Sequence, residues 1–516
     1  MTGNVDNIKI RMYNTGSVGD CILLLFCKDT DISFSMLIDC GGIKTSADAI
    51  NPCVSDIAAT CKHQLDLLIV THQHEDHISG FNLARALFDQ ITVKETWMSW
   101  VEDPTDPIAG VVKDKFGKRL RQLQEQTERA QAHLQRYAKQ TSDALGFGKR
   151  YAQHQASLDA IKEQLEFEAG DTASDRGARA ANGTPAPTAK NAAAKTARAA
   201  TAAASTVTKG LTNNDAMEYV RKKGRTIAYR LPGEVIKNLP GAEGIKFYIL
   251  GPPRDPDLSF LKIEMDTDEM YQLALGTVPT PVPPTQRLTA SGITLRPQSS
   301  PFDAGHQLSG KEEAAFWRQY GSDEMKWRQI ELDWVGTGDV SLALTRFVNN
   351  TSLAMALEFE DSGRVVLLPA DAQSGNWMSW HKPDVSDTLK TNGGKDTNEL
   401  LAATVFYKVG HHGSHNGTAS HSGLDLVTSP SLVAFMPLVQ DKVPLAWGGA
   451  ANFPAEQLYG ALIEKTKGRV VRTDVGLIDD PRAQRLRGLL PAADINAFTN
   501  AFRKGSCYVE YTINGK

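Results

Sequence analysis

Residues 67–77, LLIVTHQHEDH, join a run of apolar residues to a cluster of histidines and carboxylates. Because side chains alternate between the two faces of a strand, His72 and His74 are expected to point the same way where the strand ends. Asp76 and His77 then fall in the turn that begins the next helix. Neutral imidazoles bind Zn, Fe or Mn, and a carboxylate adds charge that holds a further ion. The spacing predicts a metal site; a polar loop that happens to be rich in histidine is the alternative.

Short apolar runs elsewhere in the first hundred residues also predict strands. They lie at Ile8–Tyr13, Cys21–Phe26, Phe34–Ile38 and Leu65–Val70. Each run is short and ends near glycine, aspartate or another polar signal, as buried strands do. Helical spacing follows at Phe81–Phe88. Alternating strands and helices of this kind predict an α/β fold.

The segment 67–77 matches the HxHxDH motif of the metallo-β-lactamase superfamily, and three other segments resemble motifs of that family in the expected order. They are LIDCGG at 37–42, VLLPADA at 366–372 and KVGHHGS at 408–414. The resemblance implies the αββα sandwich of that superfamily. It covers residues 1–104, 235–255 and 345–515.

Carried over residue by residue, the resemblance implies one or two divalent metal ions, Zn or Mn. The expected ligands are His72, His74, Asp76, His77, Asp371 and His411. The first two would hold one ion, and Asp76, His77 and His411 would hold the other, with Asp371 as the bridge. Asp39 would be a carboxylate behind the ligands that orients the histidine loop.

The double histidine of the KVGHHGS segment has two interpretations. His411 follows the strand directly and is assigned to the metal, which leaves His412 to face the substrate as a proton donor. With Asp76, His412 makes up the expected catalytic pair. The opposite assignment of the two histidines stays open. Lys408 lies either near a substrate anion or in a purely structural position.

The sequence departs from the family pattern at the first metal site. Many superfamily members supply a third histidine there from a strand between the two halves of the fold. At the corresponding places this chain has Glu102-Asp103 after Trp100, or Gly251-Pro252 after Leu250. Neither place contains histidine, so the first site would be weaker, or completed by water, or completed by a carboxylate. The sequence leaves the number of ions open.

Two insertions are expected to interrupt the fold. The expected division is 1–104 for the first half, 105–234 for a basic helical and flexible insertion, 235–255 for a core strand, 256–344 for a second insertion and 345–516 for the second half. The chain has a net charge of −4, yet between residues 105 and 230 the 22 Lys and Arg residues outnumber 13 Asp and Glu residues. Lys113–Gln140 is predicted to be a long surface helix. Residues 172–208 lack large apolar side chains and are predicted to be flexible.

These features predict a metal-dependent hydrolase that uses a metal-activated hydroxide. Further short segments, including Gly19-Asp20 and Asn350-Thr351-Ser352, resemble the hydrolase domain of competence DNA-uptake proteins and long stand-alone bacterial members of that branch. A phosphodiesterase or nuclease is therefore favoured, with nucleic acid bound by the basic insertion. The alternatives are a small-molecule hydrolase acting on a lactone, an amide or a phosphoester, and a non-enzymatic scaffold stabilised by metal. Homo-oligomerisation is the alternative role of the helical insertion.

Composition excludes several classes of protein. Hydrophobic residues make up 41% of the chain and charged residues 22%, which excludes a wholly disordered chain. The apolar run Cys21–Cys27 falls well short of the about 20 residues that a membrane span needs. The first residues show no signal-peptide core. We therefore expect a cytoplasmic protein that does not enter the membrane. Its six cysteines form no C-x-x-C pair and are expected to be buried free thiols.

Overall fold

A computed structural model describes most of the chain outside the two predicted insertions. The described residues are 3–140, 155, 158–159, 161–162, 165, 212–255, 269–271, 288–289, 292–293, 347–444, 447 and 449–516. The stretch 172–208 that was predicted to be flexible lies outside them, as does most of the predicted second insertion. The chain divides into two compact units, one made of Met1–Leu273 and Thr337–Lys516, the other of Ala274–Gly336.

The fold of the larger unit is α/β, with two mixed sheets of eight strands each. The first sheet consists of β1 Asn7–Tyr13, β2 Ile22–Lys28, β3 Asp31–Ile38, β4 Gln64–Val70, β5 Thr92–Ser99, β6 Gly224–Arg230, β17 Phe502–Lys504 and β18 Tyr508–Asn514. Their order is β17-β18-β1-β2-β3-β4-β5-β6. The strands from β3 to β6 run parallel, so their carboxyl ends share one edge of the sheet, where the segment His72–His77 follows β4.

The second sheet has a matching parallel region. It consists of β7 Val235–Ile236, β8 Ile245–Gly251, β11 Ala354–Phe359, β12 Val365–Leu368, β13 Thr404–Lys408, β14 Val433–Met436, β15 Val470–Arg472 and β16 Gly476–Leu477. Their order is β16-β15-β14-β13-β12-β11-β8-β7. The strands from β12 to β15 run parallel. Asp371 follows β12 and the double histidine follows β13, so both lie at the same carboxyl edge. A two-stranded hairpin, β9 Leu288–Thr289 and β10 Gly292–Ile293, belongs to the smaller unit.

One apolar core contains side chains from both large sheets. In β1, the buried residues Ile8, Ile10 and Met12 alternate with half-buried ones, because successive side chains of a strand point to opposite faces. The rings of Phe26 in β2 and Phe247 in β8 stack with their centroids 5.9 Å apart. The two sheets therefore pack against each other through this shared core.

Several helices cover the faces of the sheets that point away from the shared core. The α-helices are α1 Ala47–Thr60, α2 Glu75–Leu83, α3 Arg85–Phe88, α4 Pro107–Gln140, α5 Asn213–Lys223, α6 Ser374–Trp380, α7 Pro383–Thr391, α8 Thr397–Ala402, α9 Glu456–Lys465, α10 Pro481–Arg487 and α11 Ala492–Ala501. Short 3-10 turns include Trp100–Glu102, Gly410–Gly413, Leu424–Leu426, Gln440–Lys442 and Ala450–Asn452. Helices α1, α2 and α5 share a core with the first sheet, and α6 to α9 share one with the second.

Residues 213–234, which the sequence assigned to the first insertion, correct the predicted boundary. Helix α5 starts with a capping box between Thr212 and Asp215, and it buries Ala216, Met217 and Val220 beneath the first sheet. Strand β6 pairs with β5. The misassignment has a physical reason: five Lys and Arg residues against three Asp and Glu residues make this stretch resemble the basic insertion before it, but three apolar residues on one helix face are enough to anchor it. The insertion therefore ends near residue 212.

The long predicted surface helix is present as α4, which begins at Pro107 rather than Lys113. Its start is fixed by Asp106, whose side chain accepts hydrogen bonds from the N–H groups of Ile108 and Ala109. Across the described residues, every helix is too short or too polar to cross a membrane.

Candidate metal centre

Four side chains from both sheets meet at the shared carboxyl edge. Asp76 and His77 begin α2, Asp371 follows β12, and His412 follows β13. Each offers an atom able to bind a metal, and these atoms all lie within 4.8 Å of one another. All four residues are buried, with at most 1% of their surface exposed. We call them the four-residue cluster, and its residues could hold a metal ion.

The contacts within the four-residue cluster run through imidazole Nε2 and carboxylate Oδ2 atoms. His412 Nε2 lies 2.9 Å from Asp76 Oδ2 and 3.3 Å from Asp371 Oδ2. His77 Nε2 lies 3.1 Å from Asp371 Oδ2 and 3.8 Å from Asp76 Oδ2. Two imidazoles and two carboxylates thus converge on one point, which is a common ligand set for Zn and Mn.

Hydrogen bonds behind the cluster fix both imidazole rings. His77 Nδ1 lies 2.7 Å from Asp39 Oδ2, and His412 Nδ1 donates to the carbonyl oxygen of Pro437 at 2.9 Å. Asp39 is itself held, since it accepts hydrogen bonds from the N–H and the hydroxyl of Thr71. Because Nδ1 is engaged on the outer side of each ring, Nε2 is the atom presented to the cluster. Metal-binding histidines in proteins are commonly oriented in this way.

Several polar atoms of the cluster are buried without a hydrogen-bond partner among the described residues. They are Asp76 Oδ1, His77 Nε2 and Asp371 Oδ2, and Asp20 Oδ1 is a further one beside them. Buried polar atoms are normally paired, because an unpaired one costs about 1–3 kcal/mol. A cation at the centre of the cluster would satisfy His77 Nε2 and Asp371 Oδ2, so the donor set fits a bound metal.

The charges of the cluster also favour a cation. Burial alone would lower the pKa of His412, but the carboxylates of Asp371 and Asp76 raise it to about 10. The same carboxylates, with Asp39 and Asp20, outweigh burial and raise the pKa of His77 well above its ordinary value. Protons are thus drawn to these rings by surplus negative charge. A metal ion competes for the same Nε2 atoms and neutralises the same charge.

Lys408 compensates part of that negative charge from within the protein. Its Nζ atom lies 2.5 Å from Asp20 Oδ2, 3.3 Å from Asp371 Oδ1 and 3.0 Å from the carbonyl oxygen of Ala370. Lys408 is 1% exposed. Burial would lower its pKa, but the two carboxylates raise it above the ordinary value. Of the two sequence interpretations, the structural position therefore applies, because a buried lysine paired with two aspartates cannot also face a substrate anion.

The backbone is left-handed at several positions around the cluster. Asp39 has φ 55°, Ala370 has φ 53°, and His411 and His412 have φ 45° and 51°. Each costs about 1–2 kcal/mol for a residue other than glycine, and such residues cluster at functional sites. Gly41 is required for a different reason, the close approach of two backbone segments. A Cβ atom at this position would lie 2.5 Å from the backbone of Asp76 and His77. The loop after β3 can therefore pack directly on the ligand-bearing turn.

His72 and His74 lie beside the four-residue cluster as an adjoining pair. His72 Nε2 lies 3.0 Å from His74 Nδ1, and the rings of His72 and His77 have centroids 4.1 Å apart. His72 Nδ1 is also 3.3 Å from Ser352 Oγ. Both histidines are 1% exposed. Within the described part of the chain, they do not join a compact group of three or more ligands. Whether they hold a second ion stays a prediction.

The structure exchanges the expected positions of the two adjacent histidines. His412 belongs to the cluster and is fully buried, so it does not face a substrate. His411, which the sequence assigned to the metal, instead has its Nε2 atom 3.2 Å from Asn349 Nδ2 and its Nδ1 atom 3.2 Å from Asn416 Oδ1. Two consecutive left-handed residues turn the neighbouring side chains in different directions. Position directly after the strand was therefore a poor guide, and we correct the assignment accordingly.

The residues at the two places that correspond to the family's third histidine are engaged in other contacts. Glu102 Oε2 lies 2.5 Å from Arg221 Nη2 and 3.1 Å from Lys113 Nζ. The second place, Gly251-Pro252, provides a carbonyl oxygen that accepts a hydrogen bond from Trp100 Nε1 at 2.9 Å. Neither segment contributes to a ligand group among the described residues.

Sequence reasoning assigned no role to three polar residues that the structure places at the site. Asp20 pairs with Lys408, Asn349 contacts His411, and Ser352 contacts His72. A second compact group of possible metal ligands consists of Asp20, Asp39 and His77, and it shares His77 with the cluster. In this second group the ring would use its Nδ1 atom, which already forms a hydrogen bond with Asp39. A usable signal was present, since Asp20 and Ser352 are polar residues that each lie two positions before a buried strand.

Comparisons of the chain with protein-family models and with curated proteins found no match. The interpretation of the site therefore depends on its residues and their geometry.

Proposed function

We propose that the protein is a metal-dependent hydrolase with the αββα sandwich of the metallo-β-lactamase superfamily. The observation that carries the proposal is the four-residue cluster, whose buried Nε2 and Oδ2 atoms converge while two of them, His77 Nε2 and Asp371 Oδ2, lack a hydrogen-bond partner among the described residues. Asp76, His77, Asp371 and His412 would hold the ion. The packing of two mixed sheets through one core, with helices on the outer faces, is compatible with that fold.

A divalent ion in such a site lowers the pKa of water toward neutrality and polarises the bond to be cleaved. The protein's own residues prepare the site for it. Asp39 and the carbonyl of Pro437 keep the Nε2 atoms of His77 and His412 directed inward. Lys408 restrains Asp371 from the opposite side. In this proposal Asp76 keeps the catalytic role expected from the sequence, and His412 becomes a ligand.

His72 and His74 are proposed to hold a second ion. Their position beside the cluster supports this, as does the neighbouring His411, which is mostly buried and interacts electrostatically with His72. Burial lowers the pKa of His411 to about 4, so its ring is neutral near pH 7 and can bind a metal or donate a hydrogen bond to a substrate. Zn and Mn both suit this mixture of imidazole and carboxylate ligands.

A phosphodiesterase, and in particular a nuclease, is the favoured reaction. The supporting observation is that α4 exposes Lys115, Lys118 and Arg121 within two turns. Closely spaced exposed cations attract phosphates and concentrate a polyanion near the protein. Nucleic acid is thus the proposed partner.

One contact favours the alternative, a small-molecule hydrolase. Lys113, the first basic residue of α4, pairs with the buried carboxylate of Glu102, which also binds Arg221. Part of the basic charge of the helix therefore serves to fix α4 to the protein. If the remaining charges serve assembly, the substrate would be a small lactone, amide or phosphoester.

Metal-reconstituted protein incubated with a substrate panel tests the proposal. The panel contains single- and double-stranded DNA, RNA, bis-nitrophenyl phosphate, a lactone and an amide. We expect hydrolysis of the phosphodiesters, its loss on chelation and its return when Zn or Mn is added back. The matched control is Asp371→Asn, which keeps the shape of the side chain but removes its charge. Full activity in metal-free protein, or in Asp371→Asn, would contradict the proposal.

A further inference from the structure

Two cysteines far apart in the chain contact the same short backbone segment. The thiol of Cys53 in α1 donates to the carbonyl oxygen of Asn14 at 3.4 Å, and the N–H of Asn14 donates to the carbonyl oxygen of Cys507 at 2.8 Å. The Cys507 sulfur lies 4.0 Å from the carbonyl oxygen of Pro52, the residue before Cys53. Asn14 and Pro52 therefore bring the two thiols together beside the first sheet.

The two thiols differ in exposure and in acidity. Cys53 is fully buried, whereas Cys507 is partly exposed. The neighbouring Cys53 thiol, with smaller contributions from Ser506 and Arg11, lowers the pKa of Cys507 to about 7. The proximity of Cys507 and burial raise the pKa of Cys53. Because the thiolate is the reactive form, Cys507 has the properties of an attacking thiol and Cys53 those of a resolving thiol.

We propose that Cys507 and Cys53 form an oxidation site, at which hydrogen peroxide produces a disulfide that joins α1 to the segment before β18. The Cys507 thiolate attacks one oxygen of the peroxide, the O–O bond breaks, and the departing hydroxide takes up a proton to give water. Cys507 is now a sulfenic acid. The Cys53 sulfur then attacks the Cys507 sulfur, the S–O bond breaks, and the hydroxyl leaves as a second water with the Cys53 proton. Two thiols are oxidised while one peroxide is reduced.

A second pair of neighbouring cysteines provides an internal comparison. Cys21 and Cys40 also interact with each other, but their exposed fractions are 1% and 0%. Burial raises the pKa of Cys21 well above its ordinary value. Cys21 is therefore protonated and both thiols are shielded from solvent, so peroxide is not expected to oxidise this pair in the folded protein.

Peptide mapping of the full-length protein tests the proposal without any need for hydrolase activity. Reduced protein is treated with hydrogen peroxide, unfolded in the presence of an alkylating agent and digested without reductant. We expect a disulfide-linked peptide pair containing Cys53 and Cys507, with Cys21, Cys27, Cys40 and Cys61 recovered as alkylated thiols. Oxidation of all six cysteines at similar rates, or no linked pair, would overturn the proposal.

Two variants separate the attacking thiol from the resolving thiol. In Cys53→Ala, oxidation is expected to stop at a sulfenic acid on Cys507 that dimedone traps, because no partner sulfur remains. The same variant should alkylate at Cys507 several-fold more slowly near pH 7, since the neighbouring thiol that lowers its pKa is gone. Cys61→Ala, which changes a buried thiol at the end of the same helix, is the matched control and should retain the disulfide. Equal behaviour of the two variants would contradict the assigned roles.

If Cys53→Ala proves poorly folded, the pH dependence of Cys507 alkylation in the unmodified protein tests the proposal instead. A midpoint near 7 supports the proposal, and a midpoint near the ordinary thiol pKa opposes it.

Discussion

The Nε2 atom of His412 lies 2.9 Å from the Oδ2 atom of Asp76, although 336 positions separate the two residues in the chain. Each residue comes from the end of a parallel strand, one in each sheet. The contact therefore depends on how the two sheets pack through their shared core. It also decides which of the two adjacent histidines belongs to the cluster, since His411 turns instead toward Asn349.

Substitution of the two histidines is predicted to give unequal metal loss. His412→Ala removes an imidazole from the four-residue cluster and should abolish binding of the tightly held ion. His411→Ala should retain that ion, because His411 is not part of the cluster. Metal per chain is measured by elemental analysis after dialysis against Zn or Mn and gel filtration. His421→Ala, at an exposed histidine paired with Asp425, is the control and should bind as the parent does. Equal loss in the His411 and His412 variants would reject the exchanged assignment.

Asp39→Asn is predicted to weaken metal binding without unfolding the protein. Asparagine has the shape of aspartate but lacks its negative charge. In the parent protein the Asp39 carboxylate holds His77 Nδ1 and accepts two hydrogen bonds from Thr71. Loss of such a partner typically reduces metal affinity by about 10–100-fold. Competition with a chelating dye measures the affinity. Asp66→Asn serves as the control, because Asp66 accepts hydrogen bonds from Ser35 away from the cluster. An unchanged affinity in Asp39→Asn would show that Asp39 does not orient the ligand.

Lys408→Met is predicted to destabilise the metal-free protein. Methionine keeps much of the buried volume, but it leaves Asp20 and Asp371 without their cation. Removing one partner of a buried ion pair typically costs about 3–5 kcal/mol in the free energy of unfolding. Denaturant unfolding, with and without saturating metal, measures this cost. Bound metal should reduce it, since the ion neutralises Asp371. A variant as stable as the parent would mean that these aspartates are protonated or hydrated in the absence of Lys408.

Charge reversal on α4 distinguishes the two enzymatic readings of the protein. The variant Lys115→Glu, Lys118→Glu and Arg121→Glu changes exposed residues and spares Lys113, whose ion pair with Glu102 fixes the helix. We expect weaker nucleic-acid binding, most clearly at low salt, because each phosphate contact releases counterions. Hydrolysis of bis-nitrophenyl phosphate should hardly change.

The matched control for that experiment reverses the acidic residues Glu125 and Glu128 of the same helix to lysine, which should strengthen binding. Fluorescence anisotropy at several salt concentrations gives the affinities. If the parent shows no affinity for nucleic acid, or if charge reversal leaves the affinity unchanged, the small-molecule hydrolase becomes the better interpretation.

Strand-forming residues near the amino terminus could be located from the sequence with small errors. The predicted strand Leu65–Val70 is β4, Gln64–Val70, and Phe34–Ile38 lies within β3, Asp31–Ile38. Buried parallel strands are continuous apolar runs, and polar residues or glycine mark their ends, so the signal is local. The end of the first insertion was missed because its evidence is not local. Helix α5 and β6 are basic in composition, and only their packing against α2 and β5 shows that they belong to the core.

The sequence by itself determined the chemical character of the site: histidines and aspartates that follow apolar strands, at a spacing suited to metal ligands. It did so because a strand and the turn after it are set by a few neighbouring residues. Tertiary structure alone decided which of those side chains meet. The left-handed backbone at His411 and His412 directs one imidazole into the cluster and the other toward Asn349. Packing of the two sheets brings Asp76 to Asp371 and buries Lys408 between Asp20 and Asp371, and such contacts between distant strands leave no local pattern in the chain.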